Sequence, residues 1–560
     1  MPRRITRRNF IKDGVSATLG FAVLPLSRLQ SVSSFDVVIL GGTLVDGTGG
    51  PPWKADLGLV GQEIGAIGSI NPEQGRKVVD GSGLYVSPGF IDIHTHSDDS
   101  ILRYPTADSR VRQGITTEIT GNCGYSVAPL GAGGEEQTED LEKDYGIKVT
   151  WTDVGSYLET LDQTGISVNH ALLIGHGILR VNAIGAEARP LSSEEMKRMQ
   201  QSLEESMDHG AFGLSTGLEY VPGRFTPTEE IVALTRVVAR RDGLYASHIR
   251  NEESRLLEAV NEATQIGRLT GARVEISHLK AAGEPNWGKQ QAALDLIASA
   301  RRSGVPVLAD AYPYTAYSTG LTIFMPAWAM DGGYPALAKR LEEPSDRSRI
   351  RDELMSRVKD DPGDYDLIVI SSLRTETNQA LIGENLAQIG EKWGMEPIDA
   401  LLRLVVEEQG AVGFIGHGMS SDNVGRVLSH PLVMVGSDGG SMAPEGPAAK
   451  TRPHPRSYGT CARVLGYYCR ERQIFDWSTA VKKMTSMPAD QVGIRDRGRI
   501  ARGKKADLVL FDPETVVDGA TFEDPHRYPT GIHHVIVNGK SVVENGRHTG
   551  AKPGQALRKA

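Results

Sequence analysis

From residue 89 onward the chain alternates short apolar runs with amphipathic stretches, and this alternation restricts the fold more than any other feature of the sequence. Eight runs read as strands: "GFIDIHTH" from 89, "GITTEITG" from 114, "NHALLIGHG" from 169, "AFGLSTG" from 211, "LYASHIR" from 244, "RVEISHLK" from 273, "PVLADAYPY" from 306 and "VMVGSDG" from 433. Most are followed by a helix-like stretch. In "SSEEMKRMQQSLEESMDHG", Ser192 and Glu195 have the spacing of a capping box and mark a helix start. A strand that feeds a helix and returns as a parallel strand is a βα unit, so the pattern predicts an α/β fold built on a (β/α)8 barrel over 89–490. The seventh and eighth runs lie over a hundred residues apart, too far for a loop, which predicts an insertion with structure of its own around 321–425. "DLIVISS" and "AVGFIGHG" inside it could be strands as well.

Outside 89–490 the runs are short and broken by glycine, as in "FDVVILGGTLVDGTG" and "KVVDGSGLYVSPG" at one end and "ADLVLFDPETV" and "HHVIVNGKSVVENGR" at the other. The two ends, 34–88 and 491–560, are expected to form one small β-sandwich domain. Residues 1–33 stand apart. "MPRRITRRNFIKDGVSATLGFAVLPL" has a basic start and an apolar run, Val15 to Leu26, too short for a membrane-spanning helix but suited to a signal peptide. Within it "TRRNFIK" looks like a twin-arginine export signal, which predicts an exported, periplasmic protein without stable membrane association once the signal is removed. Six basic residues against Asp13 in the first 30 residues leave the body more acidic than the −9 of the whole chain, which argues against a nucleic-acid partner.

In such a barrel the chemistry sits at the carboxyl ends of the strands, where His94, His96, Cys123, His248, His278 and Asp438 all fall. His94 and His96 are two apart, so on a strand both rings point the same way and can reach one metal ion. One strand-end histidine is most often a hydrogen-bonded core residue; this many ligand types on different strand ends point to a metal centre. His176 and His417 lack such a partner set and read as structural, and His209 reads as a helix cap. Only three cysteines occur, too few for a disulfide framework. Cys461 and Cys469 lie about 12 Å apart along a helix-like run, beyond disulfide reach, and read as buried filler.

"PGFIDIHTH", the single histidines on the fifth and sixth strands and the aspartate on the eighth resemble the amidohydrolase superfamily over almost the whole mature chain. "GNCGYSVAP", "ASHIRNE", "ISHLKAAG", "AYPY", "GSDGG" and "RPHPRSYGT" resemble its N-acyl-D-amino-acid deacylase branch. The resemblance implies zinc-dependent hydrolysis of a small-molecule N-acyl-D-amino acid to a carboxylate and a free D-amino acid. It implies that Cys123, His248 and His278 hold a tight zinc, and that His94, His96 and Asp438 form a second, weaker or vacant position. Cys123 would fill the place that relatives give to a carboxylated lysine or a glutamate. Asp438 would also be the general base, while Lys280, Tyr312 and Arg456, with Ser318 nearby, would receive the substrate carboxylate. Leu279 stands where relatives often have a second histidine, and the segment between Asp438 and Arg456 is longer. The alternatives are a cyclic-amide hydrolase of the dihydroorotase and hydantoinase kind, which the absent lysine disfavours, and a non-enzymatic binding protein, which would have lost ligands.

Overall fold

The computed structural model describes residues 34–559 apart from 132–137, 140, 144–145 and 361–364; the signal-peptide segment therefore lies outside the described residues. All eight runs are strands: β1 (Phe90–Asp92), β2 (Ile115–Thr120), β3 (Asn169–Gly175), β4 (Gly213–Gly217), β5 (Leu244–His248), β6 (Arg273–Ile276), β7 (Val307–Ala311) and β8 (Val433–Val435). They form one parallel sheet in chain order. Alternate residues explain their apolar character. Leu172 and Ile174 of β3 pack outward with the helices, while Ala171 and Leu173 pack inward with Ile91, Ile119, Phe212 and Leu308. A strand covered on both faces has to be apolar on both.

The helices follow the same logic. The capping box of Ser192 and Glu195 opens the helix Ser193–Asp208, which buries Met199, Leu203 and Met207 one or two turns apart, and His209 is its C-cap. Cys461 and Cys469 are buried free thiols, and burial pushes both up from the usual thiol range. The helix Arg456–Arg463 continues as a π-helix over Val464–Glu471, so the run that carries both cysteines is not one regular α-helix.

The sheet closes at the seam between β8 and β1 through Thr95 and Gly439, which form a parallel bridge, and through Asp438 N–H donating to His94 O (2.8 Å) and His96 N–H to Gly439 O (2.8 Å). Below the seam Arg110, fully buried, contacts Asp92 of β1 and donates to Glu118 of β2 (2.8 Å) and to Ser437 beyond β8 (2.8 Å). One cation thus fastens the first, second and last strands together.

Two further layers flank the barrel. Tyr317–Gly320, Ile368–Leu373 and Val412–Gly416 make a three-stranded antiparallel sheet with a separate apolar core that includes Leu321, Leu386, Leu401 and Phe414. "DLIVISS" and "AVGFIGHG" are thus strands of this accessory sheet and not of the barrel. At the chain ends, a four-stranded sheet from the N-terminal part packs on a seven-stranded sheet in which Leu508–Phe511 runs antiparallel to Tyr85–Pro88. Val37, Leu57, Val86, Leu508 and Ile536 fill the space between them. No helix among the described residues is long and apolar enough to cross a membrane.

His170, buried on β3, gives a pH signature of the fold. Its Nε2 faces Thr120 Oγ1 (2.9 Å) and the Tyr157 hydroxyl (3.2 Å), its Nδ1 has no partner, and burial lowers its pKa to about 3. The unfolded chain takes up this proton near 6.5 and the folded chain does not, so its contribution to stability is complete above about pH 6.5 and lost as the pH falls toward 3. Denaturant midpoints at pH 7 and 4.5 should show that His170→Gln removes about 2–3 kcal/mol of the acid-induced loss. Equal losses in both proteins would contradict a neutral buried ring.

Candidate metal centre

The six sequence-derived candidates converge at the carboxyl end of the barrel. His94 and His96 follow β1, Cys123 follows β2, His248 ends β5, His278 follows β6, and Asp438 follows β8. Cys123, His278 and Asp438 have positive φ values of 51°, 34° and 54°, a region that costs a non-glycine residue energy and that recurs where a side chain must be re-aimed. The turn around Cys123 requires its glycines. At Gly121 (φ 76°) a Cβ would lie 1.8 Å from Leu173 O, and at Gly124 (φ 79°) it would lie 2.7 Å from Gly217 N. "GNCG" therefore presses a tight turn against β3 and β4 and lifts the thiol over the barrel mouth.

Cys123 Sγ lies 3.4 Å from His94 Nε2 and 3.5 Å from His278 Nε2. His248 Nδ1 lies 2.9 Å from His278 Nε2, and Asp438 Oδ1 lies 3.0 Å from His96 Nε2 and 3.6 Å from His94 Nε2. One donor atom each from His94, Cys123, His278 and Asp438 lies within 4.8 Å of all the others. Arg456 Nη1 sits 2.8 Å from Asp438 Oδ2, and its Nη2 donates to Ser318 O (3.2 Å). Lys280 Nζ pairs with Glu252 Oε1 (2.6 Å), the same oxygen that faces His278 Nδ1. The Tyr312 ring lies between the two cations, 4.9 Å from Arg456 Cζ and 5.9 Å from Lys280 Nζ. Both cations therefore already face carboxylates.

Three acids that the sequence reading passed over complete the site. His94 Nδ1 faces Asp310 Oδ2 (3.3 Å), His248 Nε2 faces Glu219 Oε2 (3.2 Å), and His278 Nδ1 faces Glu252 Oε1 (2.9 Å). A carboxylate on the outer nitrogen fixes the tautomer that leaves the inner nitrogen's lone pair free, the usual support of a metal-binding histidine. The inner nitrogens of all three rings point into the cluster around Cys123. His96, 35% exposed, lacks such support.

The electrostatics agree with this donor set. Burial pushes the Cys123 thiol up, but His94 and His278 outweigh it and hold the thiol well below its ordinary range. Burial likewise opposes an ionised Asp438, yet Arg456 and the hydrogen bond from His96 keep its carboxyl well below the usual value. Burial disfavours charge on His96, while its hydrogen bonds to Asp438 and Cys123 push it up to about 10; His248 is also raised to about 10, against burial, chiefly by Glu252. Thiolate and carboxylates thus attract positive charge into a buried site. A divalent ion with nitrogen and sulfur donors, zinc above all, satisfies that demand, so the residues present fit the metal.

Three other histidines play no part in the cluster. His176 is buried against Glu230 (2.9 Å), which Arg180 also engages, and His209 lies 3.7 Å from Asp153. His417 stands in the wall of the cavity in front of the cluster, its ring 4.8 Å from Phe522. That cavity, about 890 Å³, has His248, His278, Lys280, Tyr312 and Asp438 at its inner end.

Comparison with known proteins bears on this arrangement. Residues 77–543 match the model of the Amidohydrolase family. The chain is 37% identical over 524 residues to a D-aminoacylase of Alcaligenes xylosoxydans xylosoxydans, covering 93% of this chain and 97% of that one. The structure of an N-acyl-D-glutamate deacylase from Bordetella bronchiseptica, complexed with zinc and a phosphonate that mimics the tetrahedral intermediate, superposes with a TM-score of 0.79. It is 36% identical and covers 94% of this chain and all of that one, 100%. A D-aminoacylase structure described by a binuclear metal center, with one-metal activation and second-metal attenuation, also has a TM-score of 0.79, at 34% identity over 94% of this chain.

Proposed function

The chain belongs to the amidohydrolase family, and from that membership we propose that it hydrolyses the amide bond of N-acyl-D-amino acids, with zinc as cofactor, to a carboxylate and a free D-amino acid. The observation that carries this reading is Cys123 set among histidines whose outer nitrogens are held by Asp310, Glu219 and Glu252.

Cys123, His248 and His278 would hold the tight ion, and His94, His96 and Asp438 a second, weaker position. When bound, zinc polarises the amide carbonyl and makes water nucleophilic near neutral pH. The chain's own residues supply the rest. Asp438, kept ionised by Arg456, takes a proton from the attacking water and passes it to the nitrogen as the C–N bond breaks. The hydroxyl stays on the acyl carbon. Arg456, Lys280 and Tyr312, beside Ser318, hold the substrate carboxylate, which competes with Asp438 and Glu252 for the two cations. The paired Arg7 and Arg8 followed by an apolar run support export by the twin-arginine route to the periplasm, a route that carries folded proteins and would deliver the thiolate already metallated.

Metal titration tests the chemistry. Chelated protein should be inactive, and zinc should restore hydrolysis of N-acetyl-D-amino acids at least about tenfold faster than ring opening of a cyclic diamide. Activity that survives chelation, or faster opening of the cyclic diamide, would contradict the reading.

A further inference from the structure

The cavity in front of the cluster changes character along its length. Its inner end is polar and crowded, with Lys280, Tyr312 and Asp438 buried against one another. Its outer end is walled by the insertion, through Ile323, Phe324, Leu354, Leu367, Ile398 and Leu401. Among the described residues, the titratable groups that the insertion and the strand Tyr317–Gly320 bring to the lining are His417 and the phenols of Tyr317 and Tyr365. A volume of about 890 Å³ lies near the upper end for cavities that enclose drug-sized ligands, and an N-acetyl amino acid is much smaller than those. Leu367 remains 40% exposed at this wall, a large aliphatic surface that a ligand would cover.

Two contacts decide which arm of a substrate reaches that wall. An amino acid's side chain and carboxylate leave the same carbon, so both belong near Arg456, Lys280 and Tyr312. The acyl chain leaves from the scissile carbonyl, at the metal-holding histidines. There the Tyr220 ring packs against His248, with centroids 4.6 Å apart and planes tilted by 54°, and Thr319 Oγ1 donates to the Tyr220 hydroxyl at 3.2 Å. Thr319 leads directly into the turn Leu321–Phe324, which Arg224 fixes by donating to Ile323 O and Met325 O. From His248 the cavity wall therefore passes through Tyr220 and Thr319 to Ile323 and Phe324.

We propose that the insertion forms an acyl-chain site, and that the enzyme's preferred substrates are N-acyl-D-amino acids whose acyl group is a medium-length aliphatic chain of about eight carbons or more. This rests on the deacylase reading above and specifies its substrate class. Each methylene buried on the apolar wall is worth up to about fourfold in binding, the equivalent of about 0.8 kcal/mol.

Two substrate series on the zinc-loaded enzyme test the proposal: acetyl to decanoyl on D-alanine, and acetyl on D-amino acids of increasing aliphatic side chain. Calorimetric binding of N-decanoyl-D-alanine and N-acetyl-D-alanine is measured alongside. The acyl series should raise kcat/KM by at least about fiftyfold and more steeply than the side-chain series. Phe324→Asp and, as a milder change, Leu367→Ala, at a side chain 40% exposed, should each lower the decanoyl-to-acetyl ratio, with unchanged thermal unfolding as the check on folding. A flat acyl series, a gain confined to the side-chain series, or a ratio unmoved in both folded variants would overturn the proposal. If no N-acyl-D-amino acid is cleaved but the decanoyl compound binds at least about tenfold tighter than the acetyl one, the apolar site stands and the deacylase reading fails. Equal binding of the two would overturn the acyl-chain site whatever the activity.

Discussion

Cys123→Ala is expected to lose the tight metal and at least about three orders of magnitude in kcat/KM, while Cys461→Ala changes neither. The effect is large because Cys123 has no substitute. Its sulfur lies 3.4 Å from His94 Nε2 and 3.5 Å from His278 Nε2, and the chain's other two thiols are buried elsewhere with raised pKa values. Removing it leaves imidazoles fixed by Asp310, Glu219 and Glu252 but takes away the thiolate that lies against two of them. Metal content by elemental analysis and turnover, measured on the same preparation, check this. A Cys123→Ala protein that retains a full complement of zinc and normal turnover would remove the thiolate from the centre.

Asp438→Asn is expected to keep the tight ion and to lose about 10²–10⁴-fold in kcat, the range that general acid–base groups supply. The amide preserves shape and leaves Cys123, His248 and His278 untouched, but it cannot accept a proton. Arg456 loses an anionic partner at 2.8 Å and stays available to the substrate carboxylate, so KM should rise little or fall. A single-turnover rate in the variant comparable to that of the wild type would show that another group takes the proton.

The barrel was legible because its strands are buried on both faces and so read as continuous apolar runs; even β1, three residues long, stood out through "PGFIDIHTH". The accessory sheet was ambiguous for the same reason. "DLIVISS" and "AVGFIGHG" have the composition of barrel strands, and only antiparallel pairing with Tyr317–Gly320 separates them. In the site, the six candidate donors were legible from their place at strand ends. Glu219, Glu252 and Asp310 were not, since acids after strands look like ordinary loop residues until their oxygens are seen against the outer nitrogens of His248, His278 and His94. Lys280 and Arg456 read as open carboxylate receptors because nothing in their local sequence places Glu252 and Asp438 within ion-pair distance.

The specificity of the zinc-loaded enzyme for paired enantiomers tests the central claim most directly. If Arg456, Lys280 and Tyr312, which lie together at the inner end of the cavity, hold the carboxylate on one side and the metal cluster holds the scissile carbonyl on the other, only one hand of the α-carbon leaves room for its side chain. A misplaced side chain costs more than about 1.4 kcal/mol of transition-state binding, so kcat/KM for N-acyl-D-amino acids should exceed that for their L-partners by well over tenfold. Equal hydrolysis of the two enantiomers by metal-loaded enzyme would contradict the account.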